Sequence, residues 1–315
     1  MRRMRVINMN NKVVLTAGIV LVLILGGLGL WSLSNSPAAP ATGGAVLQVV
    51  AAENFWGNLA TQLGGSRVQV TSIVTDPNAD PHDYESTTQD ARAVADADYV
   101  IENGAGYDTW IDKLISAGGK QSRITLNVAT LVGKKEGDNP HLWYNPAYVN
   151  QAIAQMKADF IALDPADAAY FEQQYAALQS SLEPYQQKIA DIKTHYAGVP
   201  VGATEDIFVY FADATGLDLT TPPAFIQAVG DGDDPPAQSV AAFQNQIQHK
   251  QIKVLVYNEQ TVTPVTENIK SLAQAQNIPI VGITETMPLS GNFQDWMGAE
   301  ATALENALAL SAQTQ

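Results

Sequence analysis

The sequence predicts an α/β fold with two parallel-sheet lobes that are joined by a single long helix. From Val46, short apolar runs alternate with helical stretches. The range Asp167–Thr194 has no glycine and contains only Pro184 to interrupt a helix. After Gly198 the alternation of apolar runs and helical stretches resumes. Because strands that alternate with helices at this spacing form parallel sheets covered by helices, each alternating region predicts one lobe.

The first predicted lobe, residues 46–165, contains four strands and the helices between them. The strands are short apolar runs at 46–52, 67–74, 98–102 and 123–128. Helical stretches cover 55–63, 107–116 and 146–163. A further helix ends near Asp96, and Ser86 with Gln89 has the pattern of a capping box at its start. An Asp-Pro pair at 164–165 then separates this lobe from the long helix.

The linking helix is predicted within residues 166–197, and the second lobe covers 198–315. At 1.5 Å per residue the helix spans about 40 Å, which is longer than one small lobe needs. Strands of the second lobe are predicted at 199–204, 253–259 and 278–284. Helices are predicted at 208–214, up to about residue 276, and from about residue 293.

The N-terminal residues predict a membrane segment. A basic stretch, residues 1–12, precedes an uncharged run of 21 residues at 13–33. Such a run spans roughly 30 Å and exceeds the usual secretory apolar region, so an uncleaved anchor is favoured over a signal peptide. Small residues at 37–41 keep cleavage open as the alternative, which would give a secreted or periplasmic protein. Residues 1–12 are then cytoplasmic, 34–45 form a flexible tether, and the rest is extracytoplasmic.

Composition excludes several classes of function. The formal net charge of −15 argues against a nucleic-acid partner, because little basic charge is available to neutralise phosphates. The sequence has no cysteine, which excludes thiolate metal ligands and attachment through a lipidated cysteine. An exported chain without disulfides also needs a large core, and this length is sufficient for one.

Polar residues at four predicted strand ends form a candidate metal site. They are two histidines and two glutamates, namely His82, His141, Glu205 and Glu285. Ligands of open α/β sheets bind beyond the carboxyl ends of the strands, and imidazole with carboxylate suits a divalent metal. Each residue alone also has an ordinary explanation as a surface histidine, a first-turn acid or a solvated loop acid. The prediction therefore depends on all four together.

The remaining motifs indicate little chemistry. His195 and His249 lie near predicted helix ends, where a cation suits the helix dipole. The acidic run 230–236 lacks the ligand spacing of a calcium loop and is predicted to be solvated. No nucleotide-binding or hydrolase motif is present. A site with four protein ligands leaves no open position for substrate, so we predict a binding protein and not an enzyme.

Four segments resemble the zinc/manganese class of ABC-transporter solute-binding proteins. The most specific is "DPNADPHDYESTTQDARAVADADYVIENGAGYDTWIDKLI", residues 76–115. The others are "NPHLWYNP" at 139–146, "TEDIFVYFADATGL" at 204–217 and a strand–helix–strand stretch at 252–286. This resemblance covers essentially everything from Val46 onward. It implies a periplasmic-type protein that captures one metal ion between two lobes and delivers it to a membrane permease.

The resemblance also implies a ligand set. His82 and His141 match the two histidines of the family's first lobe. Glu205 stands where zinc-preferring members have a histidine and manganese-preferring members a glutamate, and Glu285 stands where the family usually has an aspartate. The histidine-rich loop of many zinc importers is absent from 133–139. This combination favours Mn²⁺, with Zn²⁺ next and Fe²⁺ possible.

The expected partners are the metal ion and a cognate ABC permease, and we expect a monomer on the extracytoplasmic face of the membrane. Two alternatives remain open on the same scaffold. One is an exported metallohydrolase, and the other is an adhesin-like surface protein.

Overall fold

A computed structural model describes residues 46–76 and 84–313 of the chain. The predicted cytoplasmic, membrane and tether segments, residues 1–45, lie outside the described residues, and so does His82. In the part of the chain that is described, none of the helices has the length and apolar character needed to cross a membrane.

The first lobe is built on a four-stranded parallel sheet with the order β2-β1-β3-β4. Its strands are β1 (Leu47–Glu53), β2 (Val68–Val74), β3 (Tyr99–Glu102) and β4 (Ile124–Asn127). Its helices are α1 (Asn54–Gly64), α2 (Thr88–Asp96), α3 (Thr109–Ser116), the short α4 (Val128–Leu131) and α5 (Pro146–Leu163). A 3₁₀ turn, Leu142–Tyr144, lies between α4 and α5.

The second lobe repeats this architecture with the strand order β6-β5-β7-β8, again parallel. Its strands are β5 (Pro200–Ala203), β6 (Asp218–Leu219), β7 (Leu255–Asn258) and β8 (Ile280–Ile283). Its helices are α7 (Val209–Thr215), α8 (Pro223–Gly230), α9 (Ala237–Gln248), α10 (Pro264–Ala275) and α11 (Phe293–Gln313). The sequence pattern left β6, α8 and α9 unassigned.

One long helix, α6 (Ala168–Tyr196), joins the two lobes. Its 29 residues continue through Pro184 and span about 44 Å at 1.5 Å per residue. One side of α6 packs against helices of both lobes, including α5 and α11. The predicted class, two parallel-sheet lobes joined by a single long helix, is therefore confirmed.

A continuous hydrophobic core runs through both lobes. Phe55 and Trp143 of the first lobe stack with ring centroids 4.3 Å apart, and Trp296 of the second lobe lies 6.4 Å from Phe55. Full burial of one such side chain contributes about 1.5–3 kcal/mol. The lobes are thus packed against each other behind the cleft that holds the candidate site.

The predicted start of the helix α2 is wrong by one residue. Thr87, not Ser86, is the N-cap, and it forms a capping box with Asp90 instead of Gln89. The backbone N–H of Thr87 donates to the Asp90 carboxylate at 2.7 Å, and that of Asp90 donates to the Thr87 hydroxyl at 3.3 Å. A carboxylate accepts a stronger hydrogen bond than an amide, which favours this register.

Candidate metal centre

His141 presents one ring nitrogen to the cleft between the lobes. Its Nδ1 atom lies 3.0 Å from Oδ1 of Asn139 and 3.3 Å from Oδ1 of Asp206. The backbone N–H of His141 also donates to Oδ1 of Asn139, at 2.9 Å. Two acceptors at Nδ1 favour a hydrogen there, so Nε2 is the nitrogen that is available to a proton or a metal ion. Nε2 is buried and has no hydrogen-bond partner within the described part of the chain.

Two carboxylates of the second lobe lie opposite this nitrogen. Glu205 follows β5 by two residues, and Glu285 follows β8 by two residues. Nε2 of His141 lies 3.7 Å from Oε1 of Glu205 and 3.9 Å from Oε2 of Glu285. All three residues are buried, with exposed fractions of 2, 3 and 7%. Parallel strands end at one edge of each sheet, so the fold brings together groups from distant positions in the sequence.

Asn258, the last residue of β7, lies between the two glutamates. Its amide nitrogen donates a short hydrogen bond to Oε2 of Glu205 and another, at 2.8 Å, to Oε1 of Glu285. Tyr107 of the first lobe donates to Oε2 of Glu285 at 3.3 Å, and Thr261 donates to its Oε1 at 3.3 Å. These donors hold two like charges close together and fix their direction.

The electrostatics of the site favour bound protons when no metal is bound. Burial lowers the pKa of His141, but the carboxylates of Asp206, Glu285 and Glu205 overcome this effect and raise it to about 10. Burial and the neighbouring charge of Glu285 raise the pKa of Glu205 to about 7. A divalent cation would replace these protons as the charge that balances the carboxylates.

Asp206 is a fourth polar group at the site and is not among the four ligands that the sequence predicts. His141, Glu205 and Asp206 each offer a ligand atom within 4.8 Å of the others. Asp206 begins the 3₁₀ turn Asp206–Phe208, directly after Glu205. Its adjacency to Glu205 in "TED" was the available signal, but sequence alone does not show which of two adjacent carboxylates faces a histidine of the other lobe.

The site opens into a cavity of about 670 Å³ between the lobes. Gly106 and Asp138 line it from the first lobe, and Gln227 and Asp231 line it from the second. Asp231 belongs to the acidic run after α8, which is exposed as predicted. A hydrated ion has room to reach the buried candidate ligands from this side.

The structure brings three of the four predicted ligands together: His141, Glu205 and Glu285. The fourth, His82, remains a prediction. The two other histidines lie away from the site: both are exposed, and each has Nδ1 within 2.9 Å of a carbonyl oxygen of its own helix segment, Asp191 for His195 and Asn245 for His249.

Comparison with known proteins identifies the chain's relatives. A model of the family described as "Zinc-uptake complex component A periplasmic" matches residues 49–307. The chain belongs to this family. This is the class that the sequence resembles, so the predicted relationship is confirmed, and the family consists of transport binding proteins rather than enzymes.

Three relatives illustrate the similarity. The metal ABC transporter substrate-binding lipoprotein FimA of Streptococcus parasanguinis is 24% identical over 270 residues, which covers 80% of this chain and 83% of FimA. The manganese ABC transporter substrate-binding lipoprotein PsaA of Streptococcus anginosus is 24% identical over 285 residues, 84% and 87% of the two chains. The structure of the periplasmic zinc binding protein TroA of Treponema pallidum superposes with a TM-score of 0.70 at 17% identity, covering 84% of this chain and 99% of TroA. The last similarity supports the fold alone.

Proposed function

We propose that this protein is the extracytoplasmic solute-binding component of an ABC importer and that its cargo is one divalent transition-metal ion. The observation that carries the proposal is the buried Nε2 of His141, which has no hydrogen-bond partner among the described residues and faces Glu205 and Glu285 of the other lobe at 3.7 and 3.9 Å. A buried lone pair beside two carboxylates is costly unless a proton or a cation lies among them. Membership of a metal-uptake family makes the cation the better explanation.

The proposed ligands are His82, His141, Glu205 and Glu285. Asn139 and Asp206 orient the imidazole of His141, and Asn258 directs both glutamates toward the ion. Two imidazoles and two carboxylates favour Mn²⁺, with Zn²⁺ next and Fe²⁺ third. Both leading choices have support, since the relative PsaA is named for manganese and the family description names zinc uptake.

We also propose how the protein reaches its place of action. The relatives FimA and PsaA are named as lipoproteins, whereas this sequence contains no cysteine to carry a lipid. The apolar run at residues 13–33 would provide attachment instead, with the lobes outside the membrane and a cognate permease as partner. N-terminal sequencing of the membrane fraction tests this: a mature start near Ala41 or Thr42 would show cleavage and refute the anchor.

The decisive experiment measures metal content and affinity of the purified full-length chain in mild detergent. Elemental analysis after mild purification gives the bound metal, and titration against a calibrated chelator gives Kd for Mn²⁺, Zn²⁺ and Fe²⁺. We expect one ion per chain. The His82→Ala variant tests the predicted fourth ligand, and His249→Ala is the matched control because His249 is exposed and away from the site. Unchanged tight binding in a His82→Ala, Glu205→Ala double variant would refute the ligand set.

A further inference from the structure

A carboxyl group behind the proposed metal site has no cationic partner among the described residues. Glu300 lies in α11, and although the residue as a whole is only partly buried, its carboxyl group is enclosed. Oε1 accepts hydrogen bonds from the backbone N–H of Thr284, at 3.1 Å, and from the indole N–H of Trp296, at 2.9 Å. Oε2 lies 2.7 Å from the hydroxyl of Tyr144. Among the described residues, no ion pair includes Glu300.

The hydrogen-bond geometry around Tyr144 is satisfied in full when Glu300 carries a proton. The Tyr144 hydroxyl lies within hydrogen-bond distance of two groups, Oε2 of Glu300 at 2.7 Å and the carbonyl oxygen of Thr284 at 2.8 Å. A tyrosine hydroxyl has one hydrogen, and a carbonyl oxygen can only accept. If that hydrogen goes to Thr284, then the short contact to Glu300 is a hydrogen bond only when the carboxyl donates to the tyrosine oxygen. A neutral carboxylic acid satisfies both contacts.

The surroundings favour the same protonation state. Burial raises the pKa of Glu300 to about 8, although hydrogen bonds from Tyr144, Thr284 and Trp296 act to lower it. Among the described residues, the titratable groups that face it are Tyr144 of the first lobe and Tyr185 of α6. Burial, together with the charge of Glu300 when it ionises, raises the pKa of both. Glu285 also acts on Tyr144 through its charge. None of these groups supplies a positive charge that would hold Glu300 ionised at neutral pH.

The Glu300 carboxyl connects the segments that carry two proposed ligands. Tyr144 ends the 3₁₀ turn after His141, and its backbone N–H donates to the carbonyl of His141 at 3.1 Å. Thr284 directly precedes Glu285 and is held by Glu300 through its backbone N–H. The chain of bonds from Glu300 through Tyr144 to Thr284 therefore crosses from one lobe to the other, immediately behind the site.

We propose that Glu300, held as a neutral carboxylic acid, is a positioning residue that fixes the His141 segment of the first lobe against the Glu285 loop of the second and thereby increases metal affinity. This inference rests on the proposed metal-binding function. A neutral carboxyl group explains how an acid can be accommodated here, because no described residue offers a cation to pair with its charge.

The test compares Glu300→Gln with Glu300→Ala in the full-length chain, with Mn²⁺ as the probe and chelator competition as the readout. Glutamine reproduces the neutral acid, because its NH₂ group can donate to Tyr144 while its oxygen accepts from Thr284 and Trp296. We expect Glu300→Gln to keep Kd within about threefold of wild type, and Glu300→Ala to weaken binding by about tenfold or more, the range typical of residues that orient metal ligands. Tyr144→Phe should resemble Glu300→Ala. Tyr99→Phe is the matched control, because its hydroxyl bonds Asp159 elsewhere in the first lobe.

Two readouts are independent of metal. The infrared difference spectrum between wild type and Glu300→Gln should show the carbonyl band of a protonated carboxyl group at pH 6.5. Hydrogen exchange of the Thr284 amide should be slow in wild type and Glu300→Gln and at least about tenfold faster in Glu300→Ala, where its buried partner is lost. If Glu300→Ala does not fold, Tyr144→Phe still provides the affinity comparison, because it removes the tyrosine hydroxyl and leaves Glu300 bonded to the Thr284 amide.

The outcomes separate the two claims. Equal weakening by glutamine and alanine, or no protonated-carboxyl band, would overturn the neutral acid. Wild-type affinity in both Glu300→Ala and Tyr144→Phe would overturn the positioning role, and wild-type exchange of the Thr284 amide in Glu300→Ala would overturn its hold on the Glu285 loop. A wild-type chain that binds no metal would refute the proposed function, while the spectrum and the exchange rates would still decide whether Glu300 is neutral and holds the Glu285 loop.

Discussion

Nε2 of His141 lies 3.7 Å from Oε1 of Glu205, although the two residues belong to different lobes. The imidazole follows the strands of the first sheet, and the carboxylate follows β5 of the second. A distance of 3.7 Å exceeds a hydrogen bond and leaves room for an ion that contacts both atoms. The site is thus shared between the lobes, and changes on either side should weaken the same binding event.

Removal of either partner should reduce metal affinity strongly. We expect His141→Ala and Glu205→Ala each to raise the Kd for Mn²⁺ by more than about 100-fold. This exceeds the loss of about 10–100-fold that is typical when a residue that only orients a metal ligand is removed. Chelator competition measures this, and His195→Ala is a control because that histidine is exposed at the end of α6. A loss of less than tenfold in both variants would argue against a shared site.

Loss of the Asn258 amide should weaken binding without unfolding the second lobe. Asn258→Ala removes the two N–H donors that hold Glu205 and Glu285, and the two carboxylates would then repel each other with less compensation. We expect Kd to rise by about 10–100-fold, as is typical when a group that orients metal ligands is lost. Asn268→Ala is the matched control, since Asn268 is exposed on α10. Wild-type affinity in Asn258→Ala would remove Asn258 from the site.

Variants of Asp206 distinguish an orienting residue from a ligand. If Asp206 only accepts a hydrogen bond from Nδ1 of His141, then Asp206→Asn keeps an oxygen acceptor and should weaken binding by no more than about tenfold. If Asp206 binds the ion directly, Asp206→Asn removes a charged ligand, and the protein should lose most of its affinity for the metal. Titration of Asp206→Asn beside Glu205→Gln decides this, and an equal loss in both variants would assign Asp206 to the metal.

The pH dependence should have opposite signs with and without metal. His141 and Glu205 both have raised pKa values in the folded chain, so each of them binds more protons when the chain is folded than when it is unfolded. Stability from Glu205 is present below its ordinary pKa of about 4.3 and is lost as pH rises through about 7. Stability from His141 is present below its ordinary pKa of about 6.5 and is lost as pH rises through about 10.

In the metal-free chain, the stability difference between wild type and a His141→Gln, Glu205→Gln double variant should therefore shrink from pH 5 to pH 9. Affinity for Mn²⁺ should rise over the same range, because binding displaces these protons. Thermal unfolding with a chelator present, together with metal titration at each pH, measures both trends. A metal-free difference that grows with pH would contradict the assigned protonation states.

Much of the fold follows from local patterns in the sequence. The alternation of strands and helices predicts both parallel sheets, and the glycine-free stretch after residue 167 predicts the linking helix, because these features depend on periodicity and on turn residues close in sequence. Short elements were less predictable. β6 has only two residues. The start of α2 depends on whether Ser86 or Thr87 is the N-cap, and Thr87 is the one whose backbone N–H can donate to the carboxylate of Asp90.

The sequence by itself determined the fold class, the family and three residues that meet at the site, since polar side chains at the carboxyl ends of strands are recognisable one by one. Only the tertiary structure decided which neighbours complete the site. Asp206 faces Nδ1 of His141, Asn258 lies between two glutamates, and Glu300 reaches Tyr144 across the lobes. Their partners are between 27 and 156 residues away, and such contacts depend on how two sheets and a long helix pack, which no local pattern encodes.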